Sequence, residues 1–221
     1  MTLDPVAAAR LVDACAAGIA LVGVLVAATR SIGRAIWLVA VQGILLAAIG
    51  IGVGVATGAG HIVIAGVLTG LSKGVAVPVI LGRILRESPV RTERHAYLGA
   101  RSSLIVAIVI VFVATAAVDG AAFGGSLDAP RALPAAVAEI LTGLFIAMTR
   151  RKALSIIVGL LVFENGIALT AFSLTYGMPL VIELGIAFDL LVAIVVVWVY
   201  ARRMLTILGS MSTDELRNLR G

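Results

Sequence analysis

Charge is scarce in this chain. Of its 221 residues only 13% are Asp, Glu, Lys or Arg, only twelve are acidic, and aromatic residues make up 5%. A water-soluble domain of this length needs far more polar surface, so that class is excluded. One cysteine, Cys15, excludes an intrachain disulfide and cysteine-held iron–sulfur clusters, and reads as a small apolar helix residue. Haem ligand pairs are missing, and so are the Ser/His, paired-Asp or metal-ligand sets that an intramembrane enzyme would need. The first residues, MTLDPVAAARLVD, lack a basic start, a short apolar core and a cleavage site, so no removable signal peptide is expected.

What the chain has in abundance is apolar surface: 61% of residues are hydrophobic and the mean hydropathy is +1.15. The apolar runs are continuous rather than alternating, which predicts helical spans and not a β-barrel. The fold expected is an all-α, polytopic membrane protein of about seven transmembrane helices, at roughly 6–29, 35–57, 61–83, 102–119, 133–149, 153–175 and 179–201. No soluble domain is left over. A net charge of +5 could suggest nucleic acid, but the basic residues sit at the ends of the runs. Arg30 and Arg34, the arginines from Arg83 to Arg101, Arg150 to Lys152, and Arg202 with Arg203 occupy alternate connections, whereas the others contain only Arg131. By the positive-inside rule the N-terminus is outside and the C-terminus cytoplasmic.

Three carboxylates fall inside the last two runs. Glu164 and Asp189 each lie about ten residues into their run, near the bilayer midplane on neighbouring antiparallel helices. Glu183 lies nearer the outer end. An ionised carboxylate facing lipid at that depth costs about 2.5 kcal/mol or more, so each turns inward to a partner, stays protonated, or both. A proton or ion path is one reading; helix-to-helix hydrogen bonding is the other. Lys73, about eleven residues into the third run, needs a carboxylate, water or deprotonation, and is either one half of a static ion pair or a charge that shifts as an acid titrates. Pro78 cannot donate to the carbonyl of Gly74, so the helix is expected to bend or open beside the lysine. Asp13 and Glu139, each in the outer half of its span, could line an access route or merely bond at helix ends. His61 reads as a membrane-edge surface residue.

Gly50, Gly52, Gly54 and Gly58, with Gly66, Gly70 and Gly74 in the next run, predict close helix packing and not a nucleotide site. The charged segment Arg83–Arg101 reads as a solvated loop able to dock on an acidic partner, and Asp119–Pro134 as an outer loop. Ser212 with Glu215 forms a capping box for a short helix in the tail.

The stretches LVFENGIAL, PLVIELGIAFDLLVAIVVVWV and GLSKGVAVPVIL, in a seven-span plan, resemble hydrogenase-4 component E of formate-hydrogenlyase-type membrane complexes. The last three spans of that family are similar to the K subunit of respiratory complex I and the C subunit of multisubunit cation/proton antiporters. The resemblance implies one membrane domain, with a four-helix N-terminal portion over 1–130, a three-helix C-terminal portion over 131–204 and a cytoplasmic tail over 205–221. It implies a proton-relay role for Glu164 and Asp189, with Glu183 and Lys73 matching family motifs. It also implies a subunit in a prokaryotic cell membrane, seated among antiporter-like partners. Such a subunit would bind no cofactor itself, its iron–sulfur and nickel–iron sites lying in partner subunits. A scaffold subunit, an antiporter subunit, or a stand-alone transporter with helix breaks at Pro78 and Pro179 are the alternatives.

Overall fold

In a computed structural model, the described residues are 5–87, 92–93, 96–120 and 132–174. They all belong to the first of two compact units, 1–183. The elements in order are α1 (Pro5–Ala28), α2 (Ile32–Thr57), α3 (Gly60–Thr69), a π-helical segment (Gly70–Ala76), α4 (Val77–Glu87), α5 (Ala100–Gly120), α6 (Leu133–Thr149) and α7 (Ala153–Leu174). From α3 through the π segment into α4 the chain runs on as a single span, Gly60–Arg86. The protein is therefore a helical membrane protein: among the described residues five helices are long and apolar enough to cross a bilayer, and α6 is a shorter apolar helix. No named strand occurs among the described residues. Six of the seven expected spans coincide with these helices. The seventh, with Asp189, Glu183, Pro179 and the capped tail, lies outside the described residues.

Small residues set the packing, as the glycine spacing predicts. A Cβ at Gly54 would run into the backbone of Ile62 and Val63, and one at Gly66 into Gly50 and Ile51, so α2 and α3 meet backbone to backbone. Cys15, Ile19, Leu46, Ile49 and Leu169 build an apolar cluster between α1, α2 and α7, with Cys15 an apolar core residue. His61 is exposed in the first turn of α3. One face of α5 (Ile105, Ile108, Val109, Phe112, Val113) is exposed, as a face turned to lipid would be.

The segment after α4 differs from its sequence reading as a solvated loop. The helix continues to Glu87, and beyond it Glu93 is only 1% exposed. Its carboxylate accepts from the Arg151 and Lys152 backbone N–H groups at 2.9 and 3.2 Å and from the Ser155 hydroxyl. It thereby supplies the acceptor that the orphan donors at the start of α7 require. The Glu93 N–H donates to the Arg30 carbonyl at 2.9 Å, and Ser31 pairs with Thr92 in an antiparallel bridge. Buried Arg150 donates to the carbonyls of Ala27 at 2.6 Å and Thr29 at 3.1 Å, closing the last turn of α1. Burial holds the Arg150 guanidinium below its ordinary pKa, with Glu93 opposing that shift and Arg30 adding to it. The sequence shows these charges but not the tertiary donors that a buried acid collects. Together these contacts draw the basic residues of three connections to one end of the bundle and fix α1, α2, α6 and α7 in register.

Candidate functional site

Measured from that end, four polar side chains come level inside the apolar bundle. Gln42 lies ten residues past Ile32, where α2 begins, and Glu139 ten residues before Thr149, where α6 ends. Glu164 and Asn165 lie eleven and twelve residues past Ala153, the first of α7. At about 1.5 Å per residue this is about 15–18 Å, half of a roughly 30 Å hydrocarbon core.

Lys73 reaches the same layer from the π segment. Widening the helix there lets the Val77 N–H bond the Ser72 carbonyl, five residues back, while Pro78 offers no donor to Gly74. The opening expected beside the lysine is this π segment. It is also held from outside: a Cβ at Gly43 would overlap the backbone of Lys73 and Gly74, so glycine lets α2 lie directly against it. Lys73 is 7% exposed and Glu164 8%, and Lys73 Nζ stands 3.0 Å from Glu164 Oε1. By distance this is an ion pair, yet its alignment falls short of a hydrogen bond. Among the described residues neither Glu164 oxygen, nor Asn165 Oδ1, has a hydrogen-bond partner.

Beside the pair runs a second chain of contacts. Asn165 Nδ2 donates to Gln42 Oε1 at 3.2 Å. Gln42 Nε2 in turn donates to the Ile19 carbonyl at 3.1 Å and to Glu139 Oε1. Glu139 is 1% exposed and its carboxylate fills the space over Gly23 of α1, where any side chain would overlap it. Gly166 meets Ile140 closely enough to bring Asn165 beside the Glu139 turn. The structure thus brings Lys73 and Glu164 together and puts Glu139 in the same layer, bonded sideways across the bundle rather than at a helix end. Asp13 is partly buried, six residues before Ile19 on α1. Gln42 and Asn165 are the two members that sequence reading passed over. An amide among apolar span residues was the available signal, because such a group in hydrocarbon seeks a partner helix.

Chemically, the layer holds one cation, two carboxyl groups and two amides drawn from α2, the π segment, α6 and α7. Amides can pass hydrogen bonds on but do not titrate at ordinary pH; the carboxyls and the amine can exchange protons. A protein of Mycobacterium tuberculosis described as "Uncharacterized protein Rv0085" is 34% identical over 214 residues, which cover 95% of this chain and 96% of that one. The chain belongs to its family. Hydrogenase-4 component E of Escherichia coli is 27% identical over 151 residues, 68% of this chain and 70% of that protein. The Shigella flexneri protein of the same description matches equally. This distant similarity supports a family-level relationship with hydrogenase-4 component E. No protein-family model and no solved structure matches the chain.

Proposed function

We propose that this chain is a membrane-arm subunit of a complex I-like, membrane-bound hydrogenase or formate-hydrogenlyase-type assembly, in which its buried carboxylates help to move protons or another cation. The Lys73–Glu164 pair carries this reading: a cation and a carboxylate meet in mid-bundle, beside a π opening, with carboxylate oxygens left free of hydrogen bonds among the described residues. A purely structural acid gains most from full satisfaction, as Glu93 has. Glu164 instead keeps acceptor capacity for water or a proton, with the Lys73 amine 3.0 Å away. The relationship to hydrogenase-4 component E supports a place among the membrane subunits of a hydrogenase complex; antiporter-like partners are part of the proposal. In this reading Asp189 and Glu183 extend the path in the C-terminal portion, the N-terminus faces outward, the basic end faces the cytoplasm, and metal cofactors sit in partner chains.

A scaffold subunit is the second reading, and the Asn165–Gln42–Glu139 chain favours it, because those bonds tie α2, α6 and α7 together as interhelical glue. Glu164→Gln in native membranes separates the two. The transport reading expects an assembled complex on a native gel with redox-driven proton uptake lost or uncoupled. Loss of assembly supports the scaffold, and full proton uptake removes Glu164 from the mechanism.

A further inference from the structure

At the basic end of the bundle, α1, α2 and the first residue of α5 enclose an open groove of about 600 Å³. Its lining includes Leu25, Ala28, Trp37 and Leu38 together with the two guanidinium-bearing residues Arg30 and Arg34. No acidic residue lines it. Neither arginine is ion-paired to an acid among the described residues, and both are exposed. Arg30 reaches across Gly99 toward the start of α5. Two like charges converging on one groove repel each other unless an anion lies between them. Trp37 is 69% exposed, at the helix end where indole rings anchor to the bilayer interface.

We infer that this groove is a binding site for an anionic phospholipid, its phosphate held between Arg30 and Arg34 and its acyl chains lying along Leu25, Ala28 and Leu38. The lining suits that occupant: it is mostly apolar, and both of its charged members are cationic. A free phosphate would use the two arginines and leave the apolar lining in water. The volume falls in the roughly 300–1,000 Å³ range of ligand pockets. Juxtamembrane basic pockets between helices take anionic headgroups, guanidinium binding phosphate through paired donors. The site stands apart from the mid-bundle layer and does not depend on the proton reading.

Trp37 reports on its own site. The only other tryptophan is Trp198, so Trp198→Phe leaves Trp37 as the sole emitter. The full chain would be reconstituted in phosphatidylcholine vesicles doped with acyl-brominated phosphatidylglycerol or, in parallel, acyl-brominated phosphatidylcholine. Trp37 should be quenched at roughly tenfold lower fraction of the anionic lipid. Arg30→Gln with Arg34→Gln should abolish that preference, Arg30→Lys with Arg34→Lys should retain some of it, and Arg10→Gln on the opposite end should leave it intact. Should the double glutamine variant fail to fold, Arg34→Gln alone is read and should lose most of the preference. Equal quenching by the two lipids, or a preference that survives loss of these charges, overturns the site.

Discussion

Two of the carboxylates buried in this bundle are held by opposite means. Glu93, at the basic end, accepts from two backbone N–H groups and a hydroxyl at the start of α7. Glu164, in mid-bundle, faces a lysine 3.0 Å away but accepts no hydrogen bond from a described group. Desolvation penalises both, and only Glu93 has it offset by a full set of donors. The difference makes the end of the bundle a structural clamp and leaves unused acceptor capacity in its middle.

The largest test of that division is Glu93→Ala. It leaves donors at the start of α7 without an acceptor and removes the counter-charge of buried Arg150, and should destabilise by about 3–5 kcal/mol. Thermal unfolding of the purified chain in detergent measures it. A melting temperature near that of the parent would show that Glu93 is no clamp, and the contrast with Glu164 would collapse.

Next in size is the Lys73–Glu164 pair. Lys73→Met strands an ionised or protonated carboxyl in the bundle and should cost about 3 kcal/mol, whereas Lys73→Met with Glu164→Leu should cost less than the single change. A double variant whose loss equals the two single losses added together would mean that the side chains do not interact. Gln42→Leu ranks third. It removes the donor to Glu139 and the acceptor of Asn165, and should cost about 1–3 kcal/mol, read from the same unfolding curves. It sharpens the comparison, since a cost near that of Glu93→Ala would make the middle as structural as the end.

How much of this could be read from sequence varies from residue to residue. The spans were legible because hydrocarbon enforces helices and continuous apolar runs announce them. The opening beside Lys73 was legible too, since Pro78 removes a specific hydrogen bond. Lys73 and Glu164 were each visible as buried charges in need of partners, but nothing local joins residues 91 positions apart; Gly43, which brings the π segment against α2, does so only once the helices pack. Glu93 was the hardest. Its neighbours Arg91 and Arg94 suggest a solvated residue, and the donors that bury it lie in and just before a helix that begins sixty residues later. Glu139 reads from its span as an acid near a helix end, while its level in the bundle depends on how α6 is set against α2.

The smallest expected effect probes whether the basic end owes its strength to the carboxylate or to the cations around it. The Arg151 guanidinium lies 4.4 Å from the centre of the Tyr97 ring, on a tyrosine that is itself exposed. The backbone N–H of Arg151 donates to Glu93 and survives any side-chain change. Arg151→Gln removes, among its side-chain contacts, the solvent-screened cation–π contact with Tyr97, worth about 0.5–1 kcal/mol, a shift of a few degrees. Thermal unfolding of Arg151→Gln alongside Glu93→Ala decides the matter. If the two variants fall together, the end is held by its charges, would loosen with added salt, and differs from the mid-bundle pair only in depth. If Arg151→Gln stays near the parent, hydrogen bonds to one dehydrated carboxylate fix that end, and the unsatisfied carboxylate at mid-bundle stands out as a different kind of group.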